Sequence, residues 1–283
     1  MNNTTEKDQL EIPFFDFGGT GKTIHFAHAN GYPPEGYRQF IQPFLNRYQV
    51  IGSKYRPLWG NQIPNHLKSW NTFADDMIQF MDSKGLKNVI GMGHSMGGTI
   101  SVAAAIKRPD LFEKLILIDP VIFDWKFLLP SQILPFSLLK KIIPIAKISA
   151  KRRNQWASKE EVYELWRKKR VFKRFSDESL KDLIDAAISS NGNGGMTLTF
   201  SRDWETRIYT TAPYVFSKMM KLEIPIIVVK AEFTDVITKD LWKTWQAKQP
   251  QTQFIEFKNA GHLVPLESPK ELANILLATL EKI

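Results

Sequence analysis

The stretch that decides the fold is "GMGHSMGGT", residues 91–99, in which four glycines surround one serine, Ser95. A strand-like run, "NVIGM", leads into it, and a helix-like run, "GGTISVAAAI", leads out of it. Residues 93–97 match G-x-S-x-G, a pattern that requires a sharp turn from a strand into a helix. Gly93 and Gly97 leave room for the two elements to approach closely. The stretch therefore predicts that Ser95 is an exposed nucleophile at a strained turn.

Strand-like and helix-like segments alternate on both sides of this turn. The strand-like segments are "TIHFAHA", "YQVIGSKY", "KLILIDP", "IPIIVVKA" and "TQFIEFK", and helical patterns such as "WNTFADDMIQFMDSKG" and "SPKELANILLATLEKI" separate or follow them. This alternation predicts an α/β fold with a mostly parallel, doubly wound sheet covered on both faces. Residues 124–221 are mostly helical in pattern and polar. We expect a core made of residues 1–123 and 222–283, with 124–221 inserted as a helical cap.

Composition narrows the possible classes of protein. The 283 residues include no cysteine, which excludes disulfides, thiolate nucleophiles and cysteine-ligated zinc. No run of about 18 apolar residues occurs, so no membrane-spanning helix is expected. The start of the chain, "MNNTTEKDQLE", is polar and lacks the apolar core of a signal peptide. These features favour a cytoplasmic location.

The positive charge is concentrated in the middle of the chain. Residues 124–221 hold 19 Lys and Arg against 10 Asp and Glu, which accounts for the whole formal net charge of +9. Such a segment, which also holds the apolar run "FLLPSQILPFSLL", could attract acidic substrates or an anionic membrane surface. The alternative is a solvated charged face with an apolar lid over an acyl pocket. No nucleic-acid-binding motif accompanies the charge, so nucleic acid is not an expected partner.

Four motifs together resemble the α/β-hydrolase family, in its members with a helical cap. They are "GHSMGG", "HANGYP", "LILIDP" and "NAGHLVPLESP", and the similarity covers nearly the whole chain outside residues 124–221. The resemblance implies a cap inserted after the sixth-type strand of that fold. It also implies a serine hydrolase that needs neither a metal nor a cofactor.

A serine nucleophile needs a base, and the chain offers five histidines. His262, in "NAGHLVP", is similar to the family's loop histidine and comes last in the order serine, acid, histidine. His94 is adjacent to Ser95 and cannot easily fold back to serve it. His28 ends a strand near the site and is expected to be structural. His25 and His66 have no supporting context.

Two aspartates can orient the base. Asp235, in "EFTDVIT", lies where the family most often places its acid, although Ala231 stands where a glycine is usual. Asp119 ends the strand "LILIDP", at the same edge of the sheet. The resemblance favours Asp235 over Asp119, with Glu232 as a further alternative.

An oxyanion hole needs two hydrogen-bond donors. The backbone N–H of Met96, directly after the nucleophile, is the expected first donor. The second should come from the loop after "TIHFAHA". "NGYP" resembles the family's HGxP turn with Asn30 in place of its histidine, which makes the Tyr32 N–H the donor. A second register aligns His28 with that histidine and makes Asn30 the donor; we prefer Tyr32.

Together these residues predict a serine hydrolase that cleaves a carboxylic ester of a small-molecule substrate through an acyl-enzyme. Hydrolysis of a carbon–carbon or another acyl bond by the same three residues remains open. A ligand receptor that keeps a slow triad is an alternative of a different class. The sequence does not identify the substrate or the oligomeric state.

Overall fold

Strands form where the sequence predicts them, with one additional strand at the start and three more between residues 155 and 198. A computed structural model describes residues 11–60 and 63–282, so the prediction for the polar start of the chain lies largely outside the described residues. The strands are β1 (Phe14–Gly18), β2 (Lys22–Ala27), β3 (Tyr48–Ser53), β4 (Val89–His94), β5 (Phe112–Ile118), β6 (Gln155–Trp156), β7 (Ile188–Ser190), β8 (Met196–Leu198), β9 (Ile226–Phe233) and β10 (Gln253–Gly261).

The helices follow the predicted segments in the same way. They are α1 (Arg38–Ile41), α2 (Asn71–Ser83), α3 (Met96–Lys107), α4 (Trp125–Ile133), α5 (Phe136–Ile142), α6 (Pro144–Lys151), α7 (Lys159–Arg167), α8 (Asp177–Ala187), α9 (Arg202–Ile208), α10 (Phe216–Met219), α11 (Lys239–Lys248), α12 (Val264–Glu267) and α13 (Pro269–Leu280). None of the helices in the described ranges is long and apolar enough to cross a bilayer.

Within the described ranges, seven strands form the main sheet in the order β1-β3-β2-β4-β5-β9-β10. Strands β2, β3, β4, β5, β9 and β10 pair in parallel, and β1 pairs antiparallel with β3 at one edge. The predicted mostly parallel sheet is thus confirmed. The sequence pattern does not predict β1, because this short edge strand is only half-buried and ends at glycines.

Alternate residues of the central strands point to opposite faces of the sheet. In β5, Leu115 and Leu117 pack into the core on one face, which includes Phe73 of α2 and Ile100 of α3. Ile116 and Ile118 pack into the core on the other face. Because the parallel strands are joined by helical crossovers, helices cover both faces and the strands are apolar on both sides. This rigid sheet places the ends of β4, β5 and β9 side by side.

Residues 124–221, called the cap segment from here on, run between β5 and β9. The segment contains helices α4–α10, as the helical pattern predicts. It also contains a three-stranded sheet in the order β6-β8-β7, which that pattern does not predict. The run "NGNGG", residues 191–195, joins β7 to β8, and Gly192 and Gly194 have φ values of 78° and 80° there. Glycine adopts these left-handed angles without strain, so the run forms a hairpin turn.

Helix α9 of the cap segment lies against loops of the core. The Arg207 Nε donates a hydrogen bond to the Leu67 carbonyl at 2.8 Å, and the Trp70 indole donates to the Ile208 carbonyl at 2.8 Å. The Asn30 side-chain amide donates to the Glu205 carbonyl at 3.2 Å. These bonds fix α9 over the loop that follows β2.

Candidate active site

Ser95 occupies a strained turn between β4 and α3. Its backbone angles are φ 56° and ψ −120°, a conformation that costs a non-glycine residue about 1–3 kcal/mol. The Ser95 N–H donates to the Ile118 carbonyl at 2.9 Å, and the Ser95 carbonyl accepts from the Val121 N–H at 3.2 Å. The end of β5 therefore holds the turn in place from both sides. The predicted strand–turn–helix context of Ser95 is present.

The glycines of the opening stretch allow the close contacts of this turn. A Cβ atom at Gly93 would lie 2.5 Å from the Gly97 carbonyl carbon, and one at Gly97 would lie 2.0 Å from the Ala27 carbonyl oxygen. Both distances are far inside van der Waals contact. Only glycine at these two positions lets α3 begin directly against β4 and the end of β2.

Ser95, His262 and Asp119 form a continuous hydrogen-bonded chain. The Ser95 Oγ lies 2.8 Å from the His262 Nε2, and the His262 Nδ1 lies 2.6 Å from the Asp119 Oδ2. His262 stands on the loop that joins β10 to α12. Ser95 is 6% exposed, so it is buried and not exposed as the sequence predicts, because residues of the loops around it cover the turn. The Asp119 side chain is fully buried, whereas the His262 side chain is 26% exposed. The arrangement matches a nucleophile, a base and an acid that orients the base.

The Asp119 carboxylate is held by two further hydrogen bonds. Its Oδ1 accepts from the Ala231 N–H at 3.1 Å, and its Oδ2 accepts from the Thr234 hydroxyl at 2.6 Å. Both donors belong to the end of β9 or the loop after it. These hydrogen bonds satisfy the oxygens of the buried carboxylate. Sequence reasoning missed Thr234, although it lies in the segment that the resemblance singled out.

The structure corrects the assignment of Asp235. Strands β5 and β9 are neighbours, so the residue that follows β5 directly, Asp119, faces His262 across the sheet edge. Thr234 turns its hydroxyl toward Asp119, and the next residue, Asp235, is exposed to solvent. Glu232 is also exposed, and its Oε2 accepts from the Asn259 N–H at 2.8 Å. Neither Asp235 nor Glu232 is hydrogen-bonded to His262.

The two predicted oxyanion donors differ in their surroundings. Met96 is the first residue of α3, so its N–H has no acceptor within the helix. The Tyr32 N–H instead donates to the Ala29 carbonyl at 3.2 Å, closing a tight turn over residues 29–32. This bond already uses the Tyr32 N–H, which the preferred register predicts to be the second oxyanion donor. The geometry thus disfavours Tyr32 and leaves the second register, with the Asn30 N–H as donor, as the better candidate.

His94 links the candidate base to the loop after β2. The His94 Nε2 donates to the His262 carbonyl at 2.8 Å, and its Nδ1 accepts from the Tyr37 hydroxyl at 2.8 Å. The Tyr37 oxygen in turn accepts from the Ala29 N–H at 3.4 Å. Burial lowers the pKa of His94 to about 3, so the ring stays neutral and one nitrogen remains an acceptor. Both ring nitrogens of His94 are thus used in hydrogen bonds to His262 and Tyr37. This agrees with the expectation that His94 is not the base.

The other histidines lie outside the Ser95–Asp119 chain. His28 is buried, donates from Nδ1 to the Ala29 carbonyl at 2.9 Å and packs on the Tyr55 ring. His25 is buried with its Nε2 2.9 Å from the Ser53 hydroxyl, and His66 is exposed. Burial lowers the pKa of His28 to about 3 and that of His25 to about 4. His28 therefore has the structural setting that the sequence analysis expected.

An ion pair of the cap segment, between Glu205 and Arg152, lies on the loop that holds Asn30 and Gly31. The Glu205 Oε2 lies 2.5 Å from the Arg152 Nη1, and their side chains are 8% and 27% exposed. A Cβ atom at Gly31 would lie 3.5 Å from the Glu205 carboxyl carbon, so the carboxylate sits directly on this turn. Burial raises the pKa of Glu205, and Arg152 opposes that rise. This contact fixes the position of the Asn30–Gly31 peptide.

The described residues hold no cluster of three histidine, aspartate or glutamate side chains that could bind a metal ion.

The fold is that of a known family. A family model described as "alpha/beta hydrolase fold" matches residues 22–269, and the chain belongs to this family. An uncharacterized hydrolase of Bacillus subtilis, YugF, is 25% identical over 237 residues, which cover 83% of this chain and 81% of the relative.

A second relative is similar over a shorter stretch. Strigolactone esterase D14 of Arabidopsis thaliana is 32% identical over 107 residues, 35% of this chain and 39% of its own length.

Among solved structures, E-2-(acetamidomethylene)succinate hydrolase superposes with a TM-score of 0.78, covering 95% of each chain at 16% identity. A marine microorganism esterase superposes with a TM-score of 0.69, covering 95% of this chain and 98% of the esterase at 19% identity. The chain is thus a hydrolase by its family and its relatives.

Proposed function

We propose that this hydrolase cleaves carboxylic esters through an acyl-enzyme, with Ser95 as nucleophile, His262 as general base and acid, and Asp119 as the orienting acid. The single observation that carries the proposal is the unbroken chain from the Ser95 Oγ through the His262 ring to the buried Asp119 carboxylate. The word "esterase" in the names of a relative and of a structural neighbour supports the choice of an ester.

The reaction takes two acyl transfers. The Ser95 Oγ attacks the ester carbonyl carbon while its proton passes to the His262 Nε2. The tetrahedral intermediate collapses, the C–O bond to the alcohol breaks, and the departing oxygen takes that proton. Water then attacks the acyl-enzyme, giving one proton to His262, and release of the acid returns the proton to Ser95. Throughout, the Asp119 carboxylate accepts a hydrogen bond from the Nδ1–H of His262 and stabilises the imidazolium when it forms.

The negative oxygen of each intermediate needs donors aimed at it. The Met96 N–H supplies one, with the positive end of the α3 dipole behind it. The Asn30 N–H is the proposed second donor, because the Tyr32 N–H is engaged in its turn. The loss of one such donor typically costs about 2.7–4 kcal/mol of transition-state stabilisation.

A covalent probe tests the nucleophile. A fluorophosphonate should add one label to the intact protein and none to Ser95→Ala, while Ser189→Ala, a change at an exposed serine of the cap segment, should label normally. Labelling that survives Ser95→Ala contradicts the proposal.

Turnover separates the ester hydrolase from the alternatives. With p-nitrophenyl esters, sustained release of p-nitrophenol over many equivalents is expected. Release of about one equivalent followed by arrest would favour a ligand receptor with a slow triad. Labelling of Ser95 without hydrolysis of any ester, amide or thioester would instead point to the carbon–carbon bond alternative.

A further inference from the structure

The cap segment carries an exposed apolar surface on its first three helices. Six large apolar side chains of α4–α6 are between 49% and 77% exposed: Trp125, Phe127, Ile133, Ile142, Ile145 and Ile148. We call this set the apolar cap face. Exposed large apolar side chains on neighbouring helices are typical of a contact site, because leaving them in water is unfavourable.

The exposure in α6 follows from the way its helix packs. Ala146 and Ser149 are buried, and α6 packs on α9, where the Ser149 and Thr206 hydroxyl oxygens lie 3.3 Å apart. Ile145 and Ile148 stand next to these buried positions in the sequence but point to solvent, at 49% and 70% exposure. The small residues therefore fill the intramolecular contact, and the two isoleucines are left outside it.

Helices α4–α6, which carry the apolar cap face, hold charged residues of a single sign, whereas Asp124 caps the start of α4 and Glu205 and Glu161 pair with Arg152 and Arg153 beyond the end of α6. Residues 125–158 include seven Lys and Arg and no Asp or Glu. The lysines on α4–α6 are all exposed: Lys126, Lys140, Lys141, Lys147 and Lys151. Apolar side chains interleaved with unopposed lysines are the composition of an element that lies in the interface of an anionic membrane.

We propose that helices α4–α6 dock on an anionic lipid bilayer, inserting the apolar cap face between head groups while the neighbouring lysines bind lipid phosphates. A second copy of this chain fits less well, because a symmetric contact through this face would bring the same positive charges together. An anionic bilayer matches both features of this face, because its hydrocarbon layer accepts the apolar side chains and its negative surface attracts the lysines.

This docking would place the Ser95 site close to the lipid surface. Helix α6 packs on α9, and α9 contacts the loop that carries Asn30. The inference does not depend on the proposed ester hydrolysis, because vesicle binding is measured without any ester substrate. Ser95→Ala is used so that hydrolysis of the lipids themselves does not alter the vesicles.

Vesicle sedimentation provides the test. We expect Ser95→Ala to bind phosphatidylcholine vesicles that contain phosphatidylglycerol, to bind them less as salt increases, and to fail to bind phosphatidylcholine alone. Replacing Lys140, Lys141 and Lys147 by alanine should lower the partition coefficient on the order of a hundredfold, about fivefold for each lysine. The matched control replaces Lys239, Lys243 and Lys248 of α11, which removes the same charge from the core and should leave binding within about threefold, since screening confines charge effects to roughly 10 Å.

A second pair of variants tests the apolar contribution. Phe127→Glu and Ile148→Glu, both at well exposed positions, should each weaken vesicle binding roughly tenfold or more. Ile63→Glu, at a residue that is 59% exposed outside the cap segment, is the control and should bind like the parent.

Three outcomes would overturn the proposal. They are no binding to anionic vesicles, equal losses in the α11 and Ile63 controls, or a dimer in analytical ultracentrifugation that Ile148→Glu dissociates.

Discussion

His94 and His262 are joined by a hydrogen bond from the His94 Nε2 to the His262 main-chain oxygen, 2.8 Å long. The residue that precedes the nucleophile thus holds the backbone of the candidate base, while the His262 ring remains free to bond Ser95 and Asp119. Because burial keeps His94 neutral, this bond persists across the pH range in which His262 would work. His94 is a positioning residue in this arrangement.

Loss of the His94 bond should therefore slow turnover. In His94→Leu, kcat should fall on the order of 10²-fold, since a displacement of about 1 Å at a reacting group can cost that much. His94→Gln, whose amide can donate to the same carbonyl, should recover most of the rate. His66→Leu, at an exposed histidine, is the control. Equal losses in the leucine and glutamine variants, measured with the same p-nitrophenyl ester, would argue against a positioning role.

The acid can be identified by comparing two substitutions that remove one negative charge each. Asp119→Asn should lower kcat by about 10⁴, because an amide at this position selects the wrong tautomer of the base. Asp235→Asn should stay within about twofold of the parent, as surface changes usually do. Thermal unfolding of both variants shows whether each is folded. A larger loss in Asp235→Asn than in Asp119→Asn would restore the assignment that the sequence favoured.

Thr234 should support the charge of Asp119. Its hydroxyl donates to the Asp119 Oδ2 at 2.6 Å, and a hydrogen bond to a charged group is worth about 1.5–3 kcal/mol. Thr234→Val, which keeps the shape and removes the donor, should lower kcat/KM by about 10- to 150-fold. Thr234→Ser, which keeps the donor, should stay near the parent. If the serine variant loses as much as the valine variant, packing rather than the hydrogen bond explains the effect.

The buried histidines should make the fold sensitive to mild acid. Burial lowers the pKa of His25 to about 4 and of His28 and His94 to about 3, below the usual value of 6.5. The unfolded chain therefore binds these protons first. Their contribution to stability is complete above about pH 6.5 and is lost as pH falls, at about 1.4 kcal/mol per pH unit for each histidine.

Replacing His25 isolates one of these contributions away from Ser95. Urea unfolding between pH 6.5 and 4.5 should give His25→Gln a slope of unfolding free energy against pH that is shallower by about 1.4 kcal/mol per unit. His66→Gln, at an exposed histidine, should keep the slope of the parent. Parallel curves for His25→Gln and the parent would mean that His25 is not buried as a neutral group.

The sequence alone determined the fold and the strand–turn–helix setting of Ser95, because both depend on local patterns. Alternating apolar runs define the strands, and glycines mark the sharp turn around Ser95, where Gly93 and Gly97 lie against each other. The assignments of Asp235 and Tyr32 depend on contacts that the sequence does not reveal, since His262 is hydrogen-bonded to Asp119 and the Tyr32 N–H to the Ala29 carbonyl. Asp119 is hydrogen-bonded to His262 because it follows β5, which lies next to β9, and Thr234 after β9 donates to Asp119. Such pairings join residues more than 100 positions apart, so only the tertiary structure decides them.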